Sequence, residues 1–375
     1  MKKSRSWKGR RRHLFVESLI MAIVIALFGI VLMLYDRSSR KREEIGDAGS
    51  WSNNLTETSG LEIKFLLNNR VYSCSDQLMT YLLIGTDASG QNPEAVRGSN
   101  GDLADFLALI IIDKDTNKYG IIQIDRDTVT DVPILDENGE EIGTSLEQIC
   151  TAHWYGQNEE QRNTNTVNAV SCIMGGIPID GYYCINMKDI PLINHAVGGV
   201  VVIIEEDLRS LDPAMEEGSS IRLTDEQAEK FVRARMFVGD GTNISRMRRQ
   251  RQYMEKMYEH VSTQMLENER YINDLYRELK GILETDQPDR TVSEIAAKVY
   301  ECENVGILTL DGESTRGQKL DDGQTHSEFY VDEVSIIENL GKIITLQDVT
   351  DEVITEEDME LLQQDFPEDE EIPLK

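Results

Sequence analysis

Six arginines, Arg233, Arg235, Arg246, Arg248, Arg249 and Arg251, fall between Phe231 and Gln252 in a 375-residue chain of net charge −30. Like charges packed this closely repel unless something anionic sits among them. A guanidinium is permanently charged and presents a planar fork of donors, which suits phosphate oxygens. The alternative is a solvated basic helix that balances acidic neighbours. Spacing sharpens the first reading. Residues two apart on a helix point roughly 200° apart. Arg233 and Arg235 therefore reach one ligand only if the helix ends there, and Gly239, Asp240, Gly241 and Asn243 supply the break. A second helix starting near Asn243 or Ser245 puts Arg246, Arg249 and Gln250 on one face.

Carboxylates cluster at strand ends. YLLIG (81–85) reads as a buried strand, with Asp87 just beyond it. FLALIII (106–112) and YGIIQI (119–124) read as a hairpin about a turn-rich link, with Asp102 and Asp105 before its first strand and Asp125, Arg126 and Asp127 closing its second. Strand ends in α/β sheets are where ligands bind. Carboxylates together with arginines are what a protein uses to hold Mg²⁺ and a diphosphate. Taken singly, an aspartate is more often a loop or capping residue, and the alternative for Arg126 is a salt bridge to a neighbouring carboxylate. There is no Walker motif, no GxGxxG and no GxSxG elbow, and His153 and His195 are isolated. The five cysteines show no CxxC pair, and Cys172 and Cys184 fall in apolar stretches that read as core. An enzyme built from these parts works by electrostatic positioning of a phosphorylated substrate.

Strands and helices must position these groups. Thr224 and Gln227 fit a capping box for a helix over 225–236, with Ala228, Phe231 and Val232 on its buried side. Further helices are expected at 164–174, 245–280 and 291–302. Strands are expected at 181–186, 200–204, 305–310 and 326–332, and 61–69 opens the globular part. Strands mixed with helices in this order imply a three-layer α-β-α domain around a central sheet. Hydrophobic content of 40% and charged content of 28% are ordinary for a globular chain, and the acidic balance argues against nucleic acid.

The N-terminus is organised differently. Residues 1–13 are basic, and an apolar run over 14–35 reaches the roughly 20 residues that cross a bilayer. Its outer flank carries fewer basic residues, so the tail lies in the cytoplasm and the rest outside. A cleaved signal is the alternative, but no small-residue cleavage site follows. The expected organisation is a basic tail (1–13), a transmembrane helix (14–35), a stalk and entry (36–75), an extracytoplasmic domain (76–345) and a mobile acidic tail (346–375).

Read in order, YLLIGTD, DLADFLALIIID, QIDRDT, GIPIDGYYCINM with INHAVGGVVVII, LTDEQAEKFVRAR and SRMRRQRQ resemble the LytR-CpsA-Psr family of bacterial cell-envelope proteins. The resemblance runs from Leu78 to Val261, with a weaker echo to Ile344. It implies a membrane-anchored phosphotransferase that moves a glycopolymer phosphate from a polyprenyl-pyrophosphate carrier to peptidoglycan, using Mg²⁺ or Mn²⁺. It also implies contact with cell-wall assembly proteins. Carried over by position, Asp87 and Asp105 match metal-associated aspartates, and Arg126 and Asp127 match a catalytic pair. Arg233, Arg235, Arg246, Arg249 and Gln250 match the pyrophosphate-contacting cluster, in which Arg233 and Arg235 also act in catalysis. Apolar elements around them would enclose the lipid tail. Ser89 and Leu103 stand where the family usually has arginines, a loss of two phosphate donors worth about 1.5–3 kcal/mol each. Arg97 is a candidate substitute. The departures leave room for a non-catalytic glycan-binding paralogue, and water as acceptor would make a lipid-pyrophosphate hydrolase.

Overall fold

The computed structural model describes residues 62–350, apart from 88–101, 137, 236–237, 269–270, 318–319 and 321–324. The expected basic tail and membrane span, the stalk up to 61, Ser89, Arg97 and the acidic tail from 351 lie outside the described residues. Among the described residues no helix is long and apolar enough to cross a membrane.

Strands β1 (Glu62–Leu67) and β2 (Arg70–Ser75) form a hairpin turned by Asn68 and Asn69, both at positive φ. Asparagine tolerates that left-handed turn conformation. β3 (Leu78–Asp87), β4 (Leu103–Asp113) and β5 (Lys118–Ile124) follow as an antiparallel meander. A second hairpin, β6 (Val129–Leu135) and β7 (Glu141–Gln148), was not expected from sequence; it runs into a 3-10 helix at Ile149–Trp154. Helix α1 (Glu159–Ile173) starts earlier than expected because the Asn158 side chain caps it, accepting from the Gln161 N–H. Next come β8 (Gly181–Asn186), α2 (Ile190–Ala196), β9 (Val201–Ile203) and β10 (Ser220–Arg222). Helices α3 (Asp225–Arg233), α4 (Asn243–Glu267) and α5 (Tyr271–Leu279) carry the arginine cluster and its support. The one helix expected over 245–280 is therefore two, because Asn268 leaves the helical region at φ −143° and ψ 103°. The chain closes through β11 (Leu283–Thr285), α6 (Asp289–Glu301), β12 (Glu303–Thr309), β13 (Gly312–Arg316), β14 (Ser327–Val331), α7 (Glu333–Ile343) and β15 (Gln347–Asp348).

The described residues form a central mixed sheet in the order β11-β8-β3-β4-β5-β12. β3 runs parallel to β8 and β5 parallel to β12, while the other pairs are antiparallel. β3 to β5 are apolar almost without interruption because both faces of the sheet are covered. Met79, Tyr81 and Leu83 pack with Phe231, Tyr253, Met257 and Ile295 on one face. Leu78, Leu82 and Ile84 pack with Phe65, Ala169, Met174 and Leu340 on the other. The two-residue period of a strand thus feeds two cores at once. Cys184 is buried, as expected, but Cys172 is exposed, off the buried face of α1 set by Thr166, Ala169 and Val170.

The capping box at Thr224 is complete, with the Gln227 side chain returning to the Thr224 N–H. It fixes the start of the helix that delivers Arg233. Thr224→Ala is expected to lower stability by about 1 kcal/mol, read as a shifted midpoint in chemical denaturation with an unchanged slope.

Candidate active site

The site lies where β3 ends, β4 begins and the segment after β5 leaves the sheet. Gly85 pairs with Phe106 and Thr86 with Ala104, so Asp105 is the extra residue of a β-bulge. It therefore sits inside β4 rather than before it, as sequence suggested. Strict alternation would send Asp105 to the face of Leu107 and Leu109. The bulge re-aims it, a recurrent use of bulges beside functional sites.

Two buried arginines converge on that carboxylate. Arg126 Nη1 donates to Asp105 Oδ1, and Arg246 Nη1 donates to Asp105 Oδ2 at 3.2 Å. Arg126 Nη2 also lies 2.9 Å from Cys150 Sγ. Burial pushes the Cys150 thiol up to about 12, so it is a neutral partner at physiological pH. Arg126 Nε stands 3.3 Å from Asp127 Oδ1 but is not aligned for a hydrogen bond, and it is a buried donor without an acceptor. Burial opposes the Arg126 charge; the Asp105 and Asp127 carboxylates, with a hydrogen bond accepted by the Cys150 sulfur, more than offset it and hold the pKa above its ordinary value.

Arg235 grips Asp127 with both terminal nitrogens, at 2.5 Å to Oδ2 and 3.4 Å to Oδ1. Gln148 Nε2 donates to the same Oδ1 at 3.1 Å. Arg233 donates to Asp87 Oδ1 at 2.6 Å and to Glu229. α3 ends at Arg233 and Ala234 is extended at ψ 133°, so Arg233 and Arg235 both reach the site from the helix end. Side-chain exposure rises from 4% at Arg246 through 12% at Arg126 to 20% at Arg235 and 27% at Arg233. The charge cluster is thus built from the core outwards, with its outer arginines facing solvent.

Other residues support this layer. Asn243 Nδ2 donates to Asp125 Oδ1 at 2.5 Å, while Asn243 Oδ1 accepts from Arg246 Nε at 2.9 Å. Asp125 in turn accepts from the Asp127 N–H at 2.8 Å. Burial, and then the charge of Asp127, raise the Asp125 pKa. Arg249 is buried and directed into protein: Nε donates to Phe231 O at 2.8 Å, Nη2 to Ala234 O, and Nη1 to Glu206 and to Ser245 Oγ. Gln250 accepts from Gln123 at 3.2 Å and donates to Val232 O at 3.3 Å. Arg248 is exposed, and Arg251 donates to Gln123 Oε1 at 2.8 Å. His153, isolated in sequence, is buried, with its ring nitrogens against Asp102 O and Asn163 Oδ1.

Sequence reasoning missed Glu206, Gln148, Cys150 and Asn243 as supporting residues. The acidic pair after the VVVII run was a usable signal for Glu206. Gln148 and Cys150 arrive from the unexpected β6–β7 hairpin and carried none.

An apolar cavity of about 630 Å³, counting its open mouth, is lined by the same elements that carry the charges. Gly85, Phe106, Val232 and Gln250 line it, each within two residues in sequence of Asp87, Asp105, Arg233 or Arg249, and Ile185, Met254 and Met257 continue its wall. Among the described residues no group of three or more His, Cys, Asp or Glu is placed to hold a metal ion. Asp87 and Asp105 offer hard oxygen donors, so a metal here would complete its shell with phosphate and water oxygens, as Mg²⁺ commonly does.

The comparisons agree with this architecture. TagV of B. subtilis is 19% identical with a TM-score of 0.52, over 70% of this chain and 94% of its own. A protein from Enterococcus faecalis described as a transcriptional regulator is 20% identical with a TM-score of 0.53, over 77% and 95%. TagT bound to LI-WTA is 15% identical with a TM-score of 0.50, over 72% and 91%. At these identities the likeness shows the fold. Among curated proteins none matches. The model of the LytR-CpsA-Psr family matches residues 46–342, most of the chain, and the protein belongs to that family.

Proposed function

We propose that this protein is a membrane-anchored phosphotransferase that moves a glycopolymer phosphate from a polyprenyl-pyrophosphate carrier to peptidoglycan. The observation that supports this reading best is the juxtaposition of Arg126, Arg233, Arg235 and Arg246 with an apolar cavity. A polyprenyl diphosphate has the matching two halves, an anionic head and an apolar tail. The TagT structure, in complex with LI-WTA, supports a cell-wall glycopolymer as cargo.

The protein's own groups do most of the work by position. Arg233 and Arg235, at the open end, stay held by Asp87 and Asp127 and offer their exposed sides to the diphosphate, stabilising charge on the leaving oxygen. Arg126, held by Asp105 and Asp127 behind the outer arginines, adds fixed positive charge to the site. Asp127 orients Arg235 and Arg126 rather than acting as base, since both its oxygens already accept from donors. A divalent cation, Mg²⁺ or Mn²⁺, would neutralise phosphate charge; Asp87 and Asp105 would hold it, Asp105 by sharing an oxygen that now accepts from Arg126 or Arg246. Residues 14–35 would anchor the chain, with the catalytic domain outside the cell.

A second reading, glycan binding without turnover, is favoured by Leu103, an apolar side chain paired across the sheet with Asp87. One experiment separates them: the protein is incubated with a synthetic polyprenyl-pyrophosphate glycan, Mg²⁺ and a peptidoglycan fragment. Glycan joined to the fragment through a phosphodiester is the expected product. Binding without product supports the second reading. Polyprenyl phosphate with free glycan phosphate indicates a hydrolase.

A further inference from the structure

We infer that Glu206 and Arg249 form a positioning pair that sets the spacing of the phosphate-binding arginines, and that Arg249 itself does not contact the diphosphate. The inference rests on the diphosphate reading of the site and adds a residue, Glu206, from outside it. Glu206 follows β9, in a segment that contributes nothing else to the charge cluster.

Its carboxylate reaches the first turn of α4, where Ser245 Oγ lies 2.9 Å from each of its oxygens and Arg249 Nη1 donates to Oε1. Arg249 then spans to α3, donating to Phe231 O and Ala234 O. These are carbonyls at a helix end, which lack intrahelical partners and must be satisfied from outside. Ala234 stands between Arg233 and Arg235, and Arg246 lies one turn before Arg249. One chain of contacts, Glu206 to Arg249 to Ala234, thus ties the end of α3, which carries Arg233 and Arg235, to the turn of α4 that carries Arg246. The turn between them closes on the same carboxylate. A Cβ on Gly239 would fall 1.9 Å from Glu206 Oε2, and Gly239 has φ +54°.

Arg249 is 4% exposed, and its Nε and Nη2 donate to backbone carbonyls of α3 and the residue after it, whereas the equally buried Arg246 donates only to the side chains of Asn243 and Asp105 within the charge cluster. Arg233 and Arg235, in contrast, reach solvent. Simple electrostatics and the clamp therefore predict opposite signs for one substitution. Removing the Glu206 charge should strengthen anion binding if Arg249 is freed to bind phosphate. It should weaken binding if the pair holds the other arginines in place.

The test uses the full chain in detergent, with inorganic pyrophosphate as the head-group probe and a short polyprenol as the tail probe. Glu206→Gln, which keeps the size of the side chain, is expected to weaken pyrophosphate binding at least about tenfold while polyprenol binding is unchanged. Arg249→Lys should do the same, and the double variant should be no worse than either single one, as expected for residues that act as one unit. Glycan transfer should fall on the order of 10²-fold, the scale of a small misplacement of binding groups. Unchanged or tighter pyrophosphate binding in Glu206→Gln overturns the inference. So does equal loss of pyrophosphate and polyprenol binding, which would mean a general structural defect. If the unsubstituted protein binds no pyrophosphate, the diphosphate reading fails instead.

Discussion

Asp105→Ala is expected to lower the stability of the domain by about 3–5 kcal/mol, the cost of breaking a buried ion pair from one side. Asp105 faces two guanidinium groups, Arg126 and Arg246, and all three are largely buried. Burial already pushes the Arg246 pKa down, with Asp105 the largest opposing influence. Truncation leaves two cations without their shared carboxylate. Asp105→Asn keeps the shape and one acceptor, so it should cost less than the alanine. Chemical denaturation of the three proteins reads this directly. A loss under about 1 kcal/mol for the alanine variant would class the triad with exposed ion pairs and remove the argument that it is a built core of the site.

Arg233→Ala should separate activity from stability in the other direction. Arg233 pairs with Asp87 at 2.6 Å and with Glu229, but its side chain is 27% exposed. Pairs of that exposure contribute roughly 0–1 kcal/mol to folding. The same exposure puts its donors where a diphosphate would arrive. Loss of one preorganised donor to transition-state charge costs about 10²–10³ in turnover. The expected result is glycan transfer reduced on that scale with a denaturation midpoint nearly unchanged. Wild-type turnover in Arg233→Ala would remove the residue from the proposed mechanism. A large loss of stability would make it a structural residue instead.

Much of this arrangement was legible in sequence, for physical reasons that apply at particular positions. The strands at 81–85, 106–112 and 119–124 were readable because both their faces are buried, which leaves long apolar runs. That a break follows Arg233 and Arg235 was readable from the glycines beyond them, although the helix expected over 225–236 already ends at Arg233. The common face of Arg246, Arg249 and Gln250 was readable too. The re-aimed side chain of Asp105 was not readable, because a one-residue bulge leaves no trace in composition. The β6–β7 hairpin was missed because β7, EIGTSLEQ, is largely polar and exposed. With it went Gln148 and Cys150. The division of labour within the cluster was also invisible: Arg235 and Arg249 look alike in sequence, yet one faces solvent and the other is bonded to backbone carbonyls. The break at Asn268 was missed because the apolar spacing continues across it into α5.

A crystal structure of the protein with a short polyprenyl pyrophosphate tests the central claim most directly. The account predicts the two phosphates within hydrogen-bond reach of Arg126, Arg233, Arg235 and Arg246, with the first isoprene units against Phe106, Ile185 and Met257. A diphosphate bound elsewhere, out of hydrogen-bond reach of those arginines, would contradict it.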